Sequence, residues 1–223
     1  MKTKLPLLTL FLTTFICITS CTKDTSKEPS QSASLNKSSI TLYVDETSML
    51  KYSGGDCKWS TDNLLVAEVD EGLVTAKHVG TTIIRANNLT CTVTVKPRYS
   101  SYVEPYMVWG SSKSTVKSVM SGYTIRQDNN TSLIYEGKGR VDAYGYTFEN
   151  GKLKNSSFYS SLSNSTTLTD FLLERYWVID IEKTGTNEYI SYLGSVDLKN
   201  YICLCISTSG CIVIYYDADS LKK

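Results

Sequence analysis

Seven cysteines and one histidine, His78, are the side chains of this 223-residue chain best suited to nucleophilic or metal chemistry. A single histidine leaves no His-based metal cluster, and His78 has no Cys, Asp or Glu at ligand spacing. It sits at a strand end beside Val79-Gly80 and reads as a surface or turn residue. Cys203 and Cys205 occupy alternate positions of one strand and so point to one face. Cys211 follows the Ser207–Gly210 turn and can face either of them across a hairpin. All three serve equally as small apolar core residues, and a zinc site would lack its fourth donor, so no metal is expected. Asp142 and Asp197 stand at matched places in an internal repeat and are the carboxylates a histidine-free hydrolase would use. No carboxylate pair carries an acid–base pattern, however. There is no Gly-rich phosphate loop and no Gly-x-Ser-x-Gly elbow. The expectation is a protein with no catalytic residues and no cofactor.

Tyrosine is the unusual residue. Fourteen of the sixteen fall after Lys96, where acidic and basic residues balance. Tyr144, Tyr146, Tyr189 and Tyr192 alternate along strands, and such tyrosines form amphipathic walls able to bind a glycan, peptide or protein. The competing reading packs half of them under helices and leaves the rest at the sheet margin. A net formal charge of +1 offers no surplus for phosphate contacts, so no nucleic-acid partner is expected.

The chain ahead of these residues reads as an address. Lys2 and Lys4 precede an uncharged apolar run from Leu5 to Ile18, which suits a signal-peptide core and is short for a membrane span. The run ends in Ile18-Thr19-Ser20-Cys21, which resembles the lipobox of bacterial lipoproteins. That resemblance implies removal of 1–20, acylation of Cys21 and a lipid anchor in the outer membrane, with surface exposure somewhat favoured over the periplasm. Residues 21–38 are mostly polar, too poor in apolar groups to offset the entropy of ordering, and read as a flexible tether.

From Ser39 to Lys96, short alternating segments are separated by Gly54-Gly55, Asp62-Asn63, Glu71-Gly72, Gly80 and Asn87-Asn88. Strands are expected at 40–44, 48–52, 57–60, 66–69, 73–78, 82–86 and 90–95, the pattern of a β-sandwich. The run Cys57-Lys-Trp59-Ser-Thr-Asp62, then Val66-Ala-Glu-Val69, Gly72-Leu-Val74-Thr-Ala76, Val79-Gly80-Thr81 and Ile83 is similar to the bacterial Ig-like group 2 (BIG2) domain. The resemblance covers 39–97 and implies a spacer or adhesion module without catalytic residues. Trp59 is expected at the centre of this sandwich. Cys57 and Cys91 lie on separate predicted strands, and in an oxidising compartment they are expected to bond, closing a loop of about 34 residues that contributes about 3–4 kcal/mol.

Residues 98–223 contain a weak repeat. Thr115–Ile125 aligns with Leu168–Val178, and Val141-Asp142 with Val196-Asp197. Each unit reads as a helix followed by three or four strands. Ser112 or Ser114 caps the first helix, Ser165 or Thr166 the second, and Asn150-Gly151 marks a two-residue hairpin. The expected fold is therefore all-β plus α+β, an Ig-like sandwich followed by two helix–antiparallel-strand units. The function expected is an envelope-anchored, non-enzymatic lipoprotein whose Ig-like stalk presents the C-terminal domain to a glycan, peptide or protein. The alternative is a structural subunit of an outer-membrane assembly.

Overall fold

The computed structural model describes residues 32–221. The expected leader 1–20, Cys21 and the tether as far as residue 31 lie outside the described residues.

The N-terminal part consists of short strands. β1 (Ser34–Leu35) pairs with β4 (Tyr52–Ser53). A second sheet has the order β2 (Ser39–Tyr43), β9 (Leu89–Lys96), β8 (Gly80–Ala86), β5 (Trp59–Thr61), and a third the order β3 (Thr47–Met49), β7 (Leu73–Ala76), β6 (Ala67–Asp70). The β2–β9 pair is parallel and the other pairs of these sheets are antiparallel. Alternation places Leu50, Val66, Val74, Ile84, Cys91 and Val93 together in one core. Trp59 is only half-buried and packs against that core from its margin, not at its centre. Gly72 explains its position: with φ +88 it makes the turn beneath the indole, and a Cβ there would lie 3.1 Å from the ring and 2.4 Å from the Leu50 carbonyl.

The C-terminal part is one eight-stranded antiparallel sheet. Helix α1 (Lys113–Val119) precedes β10 (Ile125–Asn129), β11 (Ser132–Glu136), β12 (Ala143–Glu149) and β13 (Lys152–Ser160). Helix α2 (Ser165–Leu173) precedes β14 (Tyr176–Gly185), β15 (Glu188–Ser195), β16 (Asn200–Ser207) and β17 (Gly210–Asp217). The order is β10-β11-β12-β13-β17-β16-β15-β14, so the last strands of the two runs, β13 and β17, pair at the centre. Ser112 caps α1 by accepting the Thr115 N–H at 3.1 Å. Asn150 and Gly151, with φ +50 and +73, form the hairpin turn between β12 and β13.

The helices and an irregular strap, residues 98–111, cover one face of this sheet, with Phe158, Phe171, Leu168, Leu172 and Val213 in the core between. The strap lacks regular backbone pairing, and tyrosines supply much of what it needs. The Tyr144 hydroxyl donates to the Val103 carbonyl at 2.8 Å, and the Tyr146 hydroxyl accepts the Tyr106 N–H at 3.3 Å. Tyr176 and Tyr215 both donate to the Glu104 carboxylate. Much of the tyrosine enrichment is thus explained as packing area that carries its own hydrogen-bonding tip.

The two parts are joined through Glu174, which is buried at the end of α2. Its carboxylate accepts the backbone N–H groups of Arg98 at 2.8 Å and Tyr99 at 3.0 Å and pairs with Arg175, while its carbonyl accepts the Val79 N–H at 2.7 Å. Asn63 donates to the Val196 carbonyl at 2.9 Å, and the Val196 side chain packs against the sandwich core. The described residues accordingly belong to one compact unit.

Candidate functional site

The face of the eight-stranded sheet turned away from the helices is the candidate site. Strand register assigns its side chains in rows. One row runs Trp177, Gly194, Tyr201, Tyr216, Asn155; the next runs Tyr192, Cys203, Ile214, Ser157, Gly145; the third runs Ile190, Cys205, Ile212, Tyr159, Ala143. None of these side chains belongs to the buried core. Tyr159, Tyr192 and Ile212 are 36–37% exposed, and Trp177, Ile190, Tyr201, Cys203, Cys205, Ile214 and Tyr216 are half-buried against one another. The centre of the rows carries no charge; on β14 the second and third rows end in carboxylates, Asp180 opposite Tyr192 and Glu182 opposite Ile190. At the strand spacings of β-sheets the rows span about 400 Å², the scale of the largest patch on an ordinary folded chain.

Electrostatics locate the neighbours. The Glu182 carboxylate raises the Tyr192 phenol above its ordinary value, with Cys203 and Cys205 among the smaller contributors. Burial chiefly raises Tyr216, again with Cys203, Cys205 and Tyr192 nearby. The two thiols stand 3.6 Å apart, and burial followed by the adjacent Cys205 thiol pushes Cys203 well above the usual thiol range. Cys211 faces the opposite way and is fully buried in the core. The Trp177 indole nitrogen is enclosed and has no hydrogen-bond partner.

The sheet's open edges are guarded. β14 carries exposed Val178, Ile179 and Ile181, an apolar edge that invites pairing with another strand. Its register breaks between Val178 and Asp180 and again between Lys183 and Gly185, and the Asp180 carboxylate accepts the Ile181 N–H at 2.8 Å. At the other end, β10 breaks register between Ile125 and Gln127, and Asp128 is held by Lys113 and Lys117. Register breaks of this kind interrupt the regular row of backbone groups that another strand would pair with.

The tyrosines expected to bind ligand are divided by the fold. Tyr144 and Tyr146 are 2% and 1% exposed and lie in the core, because even one residue of register decides which face a side chain takes. Tyr189 lies on the helix side, lining a cleft of about 380 Å³ with Ser165, Thr166, Asn187 and Ile206. Tyr192 alone of the four belongs to the open face. Cys57 and Cys91 are free thiols. Cys91 is level with Ile84, which is level with Thr61 on β5. Two strand spacings, about 10 Å, therefore separate even Thr61 from Cys91, beyond disulfide reach, and Cys57 lies further along still. Asp142 and Asp197 flank β12 and β15, four strand spacings or about 19 Å apart, wider than any glycosidase carboxylate pair.

A second concavity of about 600 Å³ lies at the joint, lined by Lys77, His78, Arg98, Asp170 and Glu174 among others. Its charges are largely used internally: Arg98 pairs with Glu46, Lys77 with Glu68, and Glu174 as described. The His78 Nδ1 lies 2.6 Å from the Leu65 carbonyl, a structural contact. Among the described residues no group of three His, Cys, Asp or Glu side chains comes together, and no helix is long and apolar enough to cross a membrane.

The spacing of the tyrosines does not reveal the open face, because it leaves undecided which of them pack under the helices. The signal was present in Tyr201–Ile206 and Cys211–Tyr216, two unbroken apolar runs that make both faces of their strands apolar. Compared with known proteins, the chain matches no family model and no curated protein.

Proposed function

We propose that this chain is a lipid-anchored, non-enzymatic envelope protein in which an Ig-like stalk of the BIG2 kind holds a sheet domain away from an outer membrane, and that the open sheet face docks a protein partner. The observation that carries the proposal is the uncharged centre of the face, built from Ile190, Tyr192, Tyr201, Ile212, Ile214 and Tyr216 beside Trp177 and bordered on β14 by Asp180 and Glu182. Charge-free centres rich in aromatic and aliphatic side chains are what protein interfaces use as anchors. Sugar rings stack on aromatics but gain little from three isoleucines, so a polypeptide is the better match. The same apolar character favours a second reading, in which the partner is a permanent neighbour in an outer-membrane assembly.

The test presents the full chain, without residues 1–20, to peptide and glycan arrays beside the variant Ile212→Glu. Selective peptide binding that the variant loses supports the proposal. Glycan binding in its place, or peptide binding unchanged in Ile212→Glu, overturns it. The anchor is tested separately: Cys21→Ala abolishes incorporation of labelled fatty acid and releases the chain from the membrane fraction. Retention of the label in that variant contradicts the lipoprotein reading.

A further inference from the structure

The two thiols on the open face have a geometry of their own. Cys203 and Cys205 are two apart on β16, so the pleat turns both to the same side, and their sulfurs stand 3.6 Å apart. Each is half-buried, and both keep contact with solvent on a face that no helix covers. Tyr192 lies directly across from Cys203, and Ile190 and Ile212 flank Cys205. We propose that Cys203 and Cys205 form a bidentate site for a soft, thiophilic d10 cation, each thiolate donating one bond and leaving the remaining positions open to solvent or to a group from outside the chain.

The spacing decides between this and the alternatives. A cation bonded to both sulfurs at about 2.3 Å, with the sulfurs where they stand, makes an S–metal–S angle of about 103°, near the tetrahedral value. No backbone movement is needed. A disulfide between the same residues would require the sulfurs to close to about 2.05 Å across alternate strand positions, whose Cα atoms lie about 6.8 Å apart, the outer limit of disulfide geometry. A closed structural zinc site needs four protein ligands, and no third Cys, His, Asp or Glu joins the pair among the described residues. Two soft donors with vacant positions instead select a thiophilic ion over a hard one. Binding is balanced by proton release: two S–H bonds break, two sulfur–metal bonds form, and two protons pass to solvent.

The site is tested on the full chain without residues 1–20, carrying Cys21→Ser and Cys57→Ser to remove the N-terminal thiol and the other partly exposed described one, kept reduced and titrated with Cd(II). Expected are a thiolate-to-metal charge-transfer absorbance saturating at one ion per chain and release of two protons per ion. Cys203→Ser and Cys205→Ser each weaken binding roughly 100-fold or more, since either change turns a chelate into a single contact. Circular dichroism checks that each variant is folded. Should either be unfolded, reversible methylthiolation of the unsubstituted pair replaces it: the block abolishes the absorbance and reductant restores it. Absence of a saturable absorbance in the reduced protein, or its persistence when both cysteines are changed or blocked, overturns the proposal.

Discussion

Trp177 occupies the space that Gly194 leaves empty: a Cβ built on Gly194 would lie 2.6 Å from the indole nitrogen and 2.9 Å from the adjoining ring carbon. The two residues face each other across β14 and β15, and the glycine lets the indole lie against the sheet at the end of the aromatic row. Gly194→Ala therefore displaces the ring. A loss of about 1–3 kcal/mol is expected in denaturant unfolding, together with a changed native tryptophan emission. An unchanged emission would show that the indole does not rest there.

Glu174 is the joint between the sandwich and the sheet. Glu174→Ala leaves the Arg98 and Tyr99 N–H groups without their acceptor, while Arg175 keeps the Phe171 and Tyr99 carbonyls. The expected loss is roughly 2–4 kcal/mol, with faster proteolytic cleavage near Pro97-Arg98. Unchanged cleavage would mean that the joint is held elsewhere.

Thiol accessibility separates the cysteines. Cys57 is half-buried, whereas Cys91 and Cys211 have no exposed surface. In the native protein a small alkylating reagent modifies Cys57 and leaves Cys91 and Cys211 until the chain unfolds. Protection of Cys57 that is lifted only by reductant would restore the expected Cys57–Cys91 bridge.

Alkaline pH acts on the tyrosines beneath the strap. Burial, with Tyr123 close by, raises the Tyr144 phenol to about 12, and burial raises Tyr146, Tyr176 and Tyr215 further. An unfolded tyrosine ionises near pH 10, so above that pH the folded state holds more protons than the unfolded one. The stabilisation is complete below about pH 10 and is lost as pH rises through the folded values. A late phase of tyrosinate absorbance is expected to coincide with loss of the fold. Its completion in a protein that stays folded would contradict the strap contacts.

Much of the architecture was legible because local chemistry and fold agree. Ser112, one of the two expected candidates, caps α1, Asn150-Gly151 makes its hairpin, and the strands β11 to β13 and β15 to β17 fall on apolar or alternating segments. What was not legible depends on the third dimension. Tyr144 and Tyr192 belong to equally alternating strands, and only the register across β12 to β15 sends one inward and the other outward. Cys57 and Cys91 each suit a strand, but the order β9-β8-β5 inserts a strand between them. The site itself required knowing which face the helices cover.

The central claim is that the open face is a docking surface, and crosslinking in living cells tests it most directly. A photoreactive residue replaces Tyr192 or Tyr159 on the face, or Leu198 and Leu73, exposed elsewhere, as controls. The account predicts one protein adduct from positions 192 and 159 alone, identified by mass spectrometry and abolished when Ile212→Glu is added. No adduct from the face, or the same adduct from position 198 or 73, would contradict it.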